Sequence, residues 1–329
     1  MALRQAAGGL LKHLAAAPLE LGGSAIQQQA TLLGSEAVAG VRHASNQAVK
    51  QRIRAIKNIG KITKAMKMVA ASKMRNAQSA VENSRGMVEP FVRIFGDYPA
   101  VDPPKTITVA VTSDKGLCGG LNSNITKYTK ALMQMYKGSD AAGEGEKLSL
   151  VTIGDKGRAQ LQRVAPEKIK LSVQDTYKDK VTFSQASLVA EEVLREGGDA
   201  VRVVFNKFHS AISFKPTMAT VLNAEALDAQ MANEQGSKLD VYEMEVANER
   251  GDALQDLAEF NLAVTLYNAM LENNCSEHAS RMSAMENSSK SAGEILERLT
   301  LQYNRDRQAT ITNELIEIIS GAAALEESG

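Results

Sequence analysis

From about Asp252 to Ala322 apolar positions recur as they do along one face of a helix. Leu271, Cys275, His278, Met282, Met285, Ser289, Ala292, Leu296, Leu299 and Tyr303 follow one another at alternating steps of four and three. That spacing is a heptad seam, and no proline interrupts the stretch. At 1.5 Å per residue such a helix runs roughly 105 Å, several times the width of a small domain, so it needs a partner along its length. A further apolar series, Ile311, Leu315, Ile318 and Ala322, begins after the polar run Asn304 to Gln308 and is expected to serve a surface outside the chain. The partner for the first seam is found near the other end. From Asn46, the residues Val49, Ile53, Ile56, Ile59, Ile62, Met66, Val69, Met74, Ala77 and Val81 recur at three- and four-residue spacing, with Lys and Arg on the other face. The two seams predict an antiparallel coiled coil whose helices leave the intervening domain on one side.

Between them the period changes. Pro90, Pro99, Pro103 and Pro104 mark a linker, and Thr106 to Val111 is a β-branched run followed by the glycine loop Ser113 to Gly120 and a helix from Leu121 to about Tyr136. Further strands are expected at 148–153, 169–173 and 200–208, with helices at 155–164 and 182–195. Ser213 to Leu222 returns as an edge strand interrupted by Pro216. The alternation predicts an α/β fold: a Rossmann-like, mostly parallel sheet domain with long N- and C-terminal helices paired as a coiled coil. The expected layout is a leader or flexible arm at 1–44, a coiled-coil helix at 45–89, a linker at 90–104 and the α/β domain at 105–223. A connector at 224–250, the second coiled-coil helix at 251–323 and a tail at 324–329 complete it.

Charge refines this layout. The 329 residues carry 38 basic and 38 acidic side chains, but the balance is local. Between Asn46 and Val81 there are nine Lys or Arg and no acid, whereas Asp252 to Ile319 carries eleven Asp or Glu against five Lys or Arg, so the helices can attract one another. The first 44 residues are rich in Ala, Gly, Gln and Leu, with only Glu20 and Glu36 acidic, a composition resembling an organelle transit peptide. No apolar run reaches the length of a membrane span. Cys118 and Cys275 stand far apart in apolar surroundings, which argues against a disulfide framework and a zinc site and leaves two thiols.

Two chemical readings compete with a purely mechanical one. The glycine loop matches neither the phosphate-binding loop nor the dinucleotide fingerprint, and Cys118 within it has no neighbouring His, although His209 could approach through the fold. Tight packing of the strand-helix turn, with Lys115 on the surface, explains the glycines as well. The basic helix invites a nucleic-acid reading but lacks the context of a groove-reading element. A nucleotide-binding enzyme and a nucleic-acid scaffold are therefore the alternatives, and no cofactor is implied.

Three blocks carry a resemblance: Ile53 to Met74 (IRAIKNIGKITKAMKMVAASKM), Ser113 to Asn122 (SDKGLCGGLN) and Ile311 to Ala323 (ITNELIEIISGAA). In their order and length they resemble the gamma subunits of rotary ATP synthases, most closely the mitochondrial type, over residues 46–323. The resemblance implies a non-catalytic central-stalk rotor on the matrix side of the mitochondrial inner membrane. It would couple the membrane c-ring to the alpha and beta subunits of the catalytic head, alongside delta and epsilon stalk subunits and with no nucleic acid. It also implies contacts to the beta subunit from Arg307, Gln308, Thr312 and Glu314, and from a coupling region at Met66, Lys67, Lys115 and Arg281. An apolar bearing would comprise Ile311, Leu315, Ile318, Ile319 and Ala322. Lys115 stands where the family usually has Arg, which keeps the charge but not bidentate carboxylate geometry. Plastid relatives carry a regulatory cysteine pair, and this chain has no matching pair.

Overall fold

The computed structural model describes residues 23–95, 103–140, 148–233 and 250–327. Helix α1 spans Gly23–Phe95, and β1 (Thr106–Val111), α2 (Leu121–Asp140), β2 (Leu148–Ile153), α3 (Asp155–Leu161), β3 (Ile169–Val173) and α4 (Phe183–Arg195) follow. The hairpin β4 (Ala200–Phe208) and β5 (Phe214–Leu222) leads to α5 (Ala224–Asn233) and α6 (Arg250–Glu327). The strands lie in the order β3-β2-β1-β4-β5. β1 to β4 are parallel and β5 is antiparallel to β4, the mostly parallel sheet with a returning edge strand that the alternation predicts. β1 and β2 are buried on both faces, as expected of central strands covered by helices.

Several expected boundaries move. Residues 90–95 of the expected linker are helical, because α1 continues through Pro90 to Phe95. A proline costs one helical hydrogen bond and a steric adjustment, about 3 kcal/mol. Burial beyond it offsets that cost: Phe95 packs with Ala200, Leu222, Leu227 and Leu254, flanked by Phe91 and Ile94. Rings continue the contact, Phe91 lying 5.5 Å from Phe260 and Phe260 5.8 Å from Phe183. The helix also begins earlier than Asn46, its backbone being helical from Gly23. Of the leader expected at 1–44, residues 1–22 lie outside the described residues, as do 96–102 of the linker, 234–249 of the connector and 328–329 of the tail. The first part of the connector is α5, and α6 runs four residues past the expected end at 323, to Glu327.

The chain forms two compact units, one of residues 59–292 and one of residues 1–58 with 293–329. In the first, α1 and α6 run antiparallel. A Cβ built on Gly60 would meet Ala292 at 3.8 Å, Lys67 reaches Glu286, and Ser84 bonds Asn268, so each step forward along α1 is a step back along α6. The α6 seam is as expected, every member from Leu271 to Ala292 being buried or half-buried. The α1 seam is not. Ile59, Ile62 and Val69 are 51%, 58% and 57% exposed, whereas Gly60 is half-buried and Thr63 and Ala70 are buried. Where the helices approach closely the seam takes small residues, and the larger apolar side chains turn outward. In the second unit, Val49, Ile53 and Ile56 of α1 and Leu296, Leu299 and Tyr303 of α6 are half-buried, at the spacing expected of them.

Candidate functional site

The glycine loop leaves β1 and enters α2. Asn122, in the first turn of α2, accepts the Ser113 N–H at 3.0 Å and donates to the Ser113 hydroxyl at 2.8 Å, closing the loop on itself. Gly119 (φ 56°) and Leu117 (φ 63°) adopt the left-handed conformation that the tight return requires. The loop's carbonyls are engaged by α6: Ser280 donates to Cys118 O at 2.5 Å and Arg281 to Gly116 O at 3.3 Å. This is a docking loop, not a phosphate cradle. Cys118 is buried beside Ser113 and Asn122, and burial pushes its thiol up, the wrong direction for a nucleophile. His209 sits exposed at the β4–β5 turn and is not among its partners.

Beside the loop opens a cleft of about 1300 Å³. One wall is the outward face of α1, with Ile62, Ala65, Met66, Val69 and Lys73. Leu271, Glu277, His278 and Arg281 of α6 form the opposite wall, and Asp114, Lys115 and Tyr177 close the end. Arg281 pairs with Glu277 and lies 3.4 Å from His278 Nδ1. Burial pushes the Glu277 carboxyl up, with Arg281 drawing it partly back. The His278 ring is lowered to about 4, first by burial and then by Arg281, Lys73 and Lys115, so it is neutral at physiological pH. One Asp114 oxygen accepts the Asp155 N–H at 3.0 Å, while the other is buried without a hydrogen-bond partner among the described residues. The cleft therefore combines exposed apolar side chains with charges of both signs, the exposed Lys73 and Lys115 among them.

Of the residues the sequence singled out, Met66, Lys115 and Arg281 line this cleft together. Lys67 is not among its lining residues: it meets Glu286 at 2.6 Å in an exposed pair worth little to stability. Arg307, Gln308, Thr312 and Glu314 belong to the other compact unit, where all four are exposed and Thr312 donates its hydroxyl to Gln308 O at 2.9 Å. Ile311, Leu315, Ile318, Ile319 and Ala322 are exposed as well. Sequence reading missed the outward stripe of Ile62 and Val69, and it missed a buried polar run on α6, Glu272, Asn273, Ser276, Glu277 and Ser280. The available signal was their four-residue spacing, Glu272, Ser276 and Ser280 in one row and Asn273 and Glu277 in the next.

The family model described as ATP synthase matches residues 45–325. A curated relative, the mitochondrial ATP synthase subunit gamma of Arabidopsis thaliana, is 46% identical over 96% of this chain and 95% of its own length. The chain belongs to the ATP synthase gamma-subunit family. The mitochondrial gamma subunit of Ipomoea batatas is 48% identical over 88% of each chain. Among solved structures, a chain of the Tetrahymena thermophila mitochondrial ATP synthase central stalk and c-ring is 34% identical, with a TM-score of 0.53 over 69% of this chain and 99% of its own. A chain of the Euglena gracilis mitochondrial enzyme shares the fold at 22% identity, with a TM-score of 0.73 over 87% of this chain and 96% of its own. For a gamma-family chain, a loop docked on a shaft helix and an open cleft beside it are parts of a mechanical element, and the nucleic-acid and nucleotide-enzyme alternatives gain no support.

Proposed function

We infer that this gamma-family chain is the central-stalk rotor subunit of a mitochondrial ATP synthase, coupling rotation of the membrane c-ring to conformational change at the catalytic beta subunits on the matrix side of the inner membrane. It is not itself an enzyme; its partners are the alpha and beta subunits of the head, the delta and epsilon stalk subunits and the c-ring. None of its helices among the described residues is long and apolar enough to cross a membrane.

One observation of the geometry carries the reading. The last turns of α6 stay helical although Ile311, Leu315, Ile316, Ile318, Ile319 and Leu325 are all at least half exposed, a face that asks for a surrounding sleeve. Torque then crosses at two places. The cleft, with Met66 and Val69 beside Lys73, Lys115 and Arg281, suits an acidic loop flanked by apolar residues, the chemistry expected of the beta-subunit contact. Nearer the tip, Arg307 and Gln308 act as a directional latch, with Thr312 and Glu314 beside them. Ile311, Leu315, Ile318, Ile319 and Ala322 act as a bearing.

Magnitudes separate latch from bearing. A charge-assisted hydrogen bond contributes about 1.5 to 3 kcal/mol and depends on angle, whereas dispersion contacts spread over many atoms change little as the tip turns. Single-molecule rotation and ATP-driven proton pumping test this. Arg307→Ala is expected to change the angular dwell and weaken coupling, and Ile318→Leu to leave both unchanged because volume is conserved. The opposite result reverses the assignment, and failure of the chain to purify in stoichiometric complex with a nucleotide-binding hexamer removes the rotor reading altogether.

A further inference from the structure

Strand β4 is longer than the neighbour it pairs with. Its parallel ladder with β1 ends at Ala110 opposite Val204, while β4 continues to Phe208. The His209 N–H bonds Ser213 O, so odd-numbered positions at this end face β5, and Asn206 and Phe208 turn their N–H and C=O groups to the side where no strand remains. Buried backbone groups must be satisfied, and here side chains of the two long helices take both groups of Phe208 and the Asn206 C=O.

Glu272 of α6 is completely buried. One of its oxygens accepts Arg85 Nε at 2.6 Å, and the other accepts Arg85 Nη2 at 3.0 Å together with the Phe208 N–H at 2.7 Å. The same Arg85 Nη2 donates to Phe208 O at 2.5 Å. One ion pair therefore holds both backbone groups of a single strand residue, with its arginine on α1 and its carboxylate on α6. Ser276 donates to Asn206 O at 3.1 Å, and Asn206 Nδ2 donates to Asn273 at 3.1 Å, extending the same seam. The hydrogen bond to Glu272 is the main cause holding the Arg85 guanidinium above its ordinary value.

We propose that the Arg85–Glu272 pair, closed on the backbone of Phe208, is the joint through which the sheet domain turns both long helices together. The inference rests on the rotor reading and adds positioning residues to it. Apolar packing resists separation but is weakly directional and lets helices slide, whereas a planar fork bonded to a carboxylate and to a strand end fixes angle as well as distance. Three elements meet at this pair, so a sideways force on β4 reaches α1 and α6 at once.

The test uses the whole ATP synthase in proteoliposomes, carrying Arg85→Lys, Glu272→Gln or the double variant Arg85→Gln with Glu272→Gln. Lys keeps the charge but loses the fork. The double variant leaves no buried charge unpaired, so it assembles even where a single variant fails to fold. ATP hydrolysis, proton pumping without an opposing gradient and pumping against an imposed gradient are each normalised to assembled complex. Hydrolysis and unopposed pumping are expected to stay close to wild type, while pumping against the gradient falls on the order of tenfold, the factor corresponding to about one charge-assisted hydrogen bond. A purely structural pair gives lower assembly but wild-type opposed pumping per assembled complex, and that result in the double variant overturns the proposal. Wild-type complex lacking this chain is the separate outcome that removes the rotor reading.

Discussion

Two stretches of the same helix behave as different materials. Between Leu262 and Met285, α6 is almost wholly buried, and its polar side chains are tied to named groups of α1, β4 and the glycine loop. From Asn304 to Glu326 only Asp306 and Thr310 are even half-buried, and the apolar residues face outward. Helix propensity does not explain the contrast, since both stretches are helical throughout. What differs is where the partner is found: within the chain for the first stretch and, on the reading proposed above, outside it for the second. An anchored root needs directional bonds along its whole length, whereas the proposed tip confines them to Arg307 and Gln308 and leaves the apolar turns beyond Ile311 without a preferred angle.

Substitutions at the root should be costly in the purified chain. Glu272→Ala leaves the Phe208 N–H buried without its acceptor and takes the carboxylate from the half-exposed Arg85, and chemical denaturation should show a loss of about 1.5 to 3 kcal/mol. A loss under 1 kcal/mol would break the comparison. Gly157→Ala probes the same unit through packing alone: a Cβ there falls 2.4 Å from Thr112 Oγ1, the atom that accepts the Gly157 N–H at 3.0 Å. Overpacking of this kind costs about 1 to 3 kcal/mol, measurable as a lower melting temperature.

His278 adds a pH dependence. Its folded value of about 4 lies below the ordinary 6.5, so the unfolded chain takes up the proton first, and stability drains away as pH falls from 6.5 towards 4. His278→Gln removes that loss. By pH 5 it should gain on the order of 1 to 2 kcal/mol over wild type, with no gain at pH 8. Glu277, raised by burial, pushes the slope the other way in both proteins, so the difference between them isolates the histidine. The smallest effect belongs to the tip. Ile318→Ser should change stability by no more than about 0.5 kcal/mol, and thermal melts of the purified chain would detect anything larger.

Much of this was legible in the residues, and the exceptions have physical causes. Strands 106–111, 148–153 and 200–208 stood out because central strands are β-branched runs bounded by turns, and the edge strand 169–173 showed apolar alternation. The α6 seam was visible because its members are mostly large. The α1 seam was misread at Ile59, Ile62 and Val69 because closely approaching helices need Gly60, Thr63 and Ala70 instead, and apolar periodicity gives small residues no weight. Pro90 suggested a linker because its local cost is visible in sequence, whereas the Phe91 and Phe95 contacts that offset it come from residues more than a hundred positions away. At the site, Met66 and Lys115 were found through the family blocks and Arg281 through the wider family resemblance. Glu272 was not, since an acid on an acidic helix reads as solvent-facing until a strand end is seen to need it.

Pro216 carries a consequence for life in a crowded assembly. It sits on the edge strand opposite Asn206, at a pair that exchanges no ladder bonds, so the donor it lacks belongs to the outer row of β5. A revolving part sweeps the same flank past one stationary neighbour after another. A full row of unpaired strand donors is a template on which any of them could knit; the proline leaves a gap in that row.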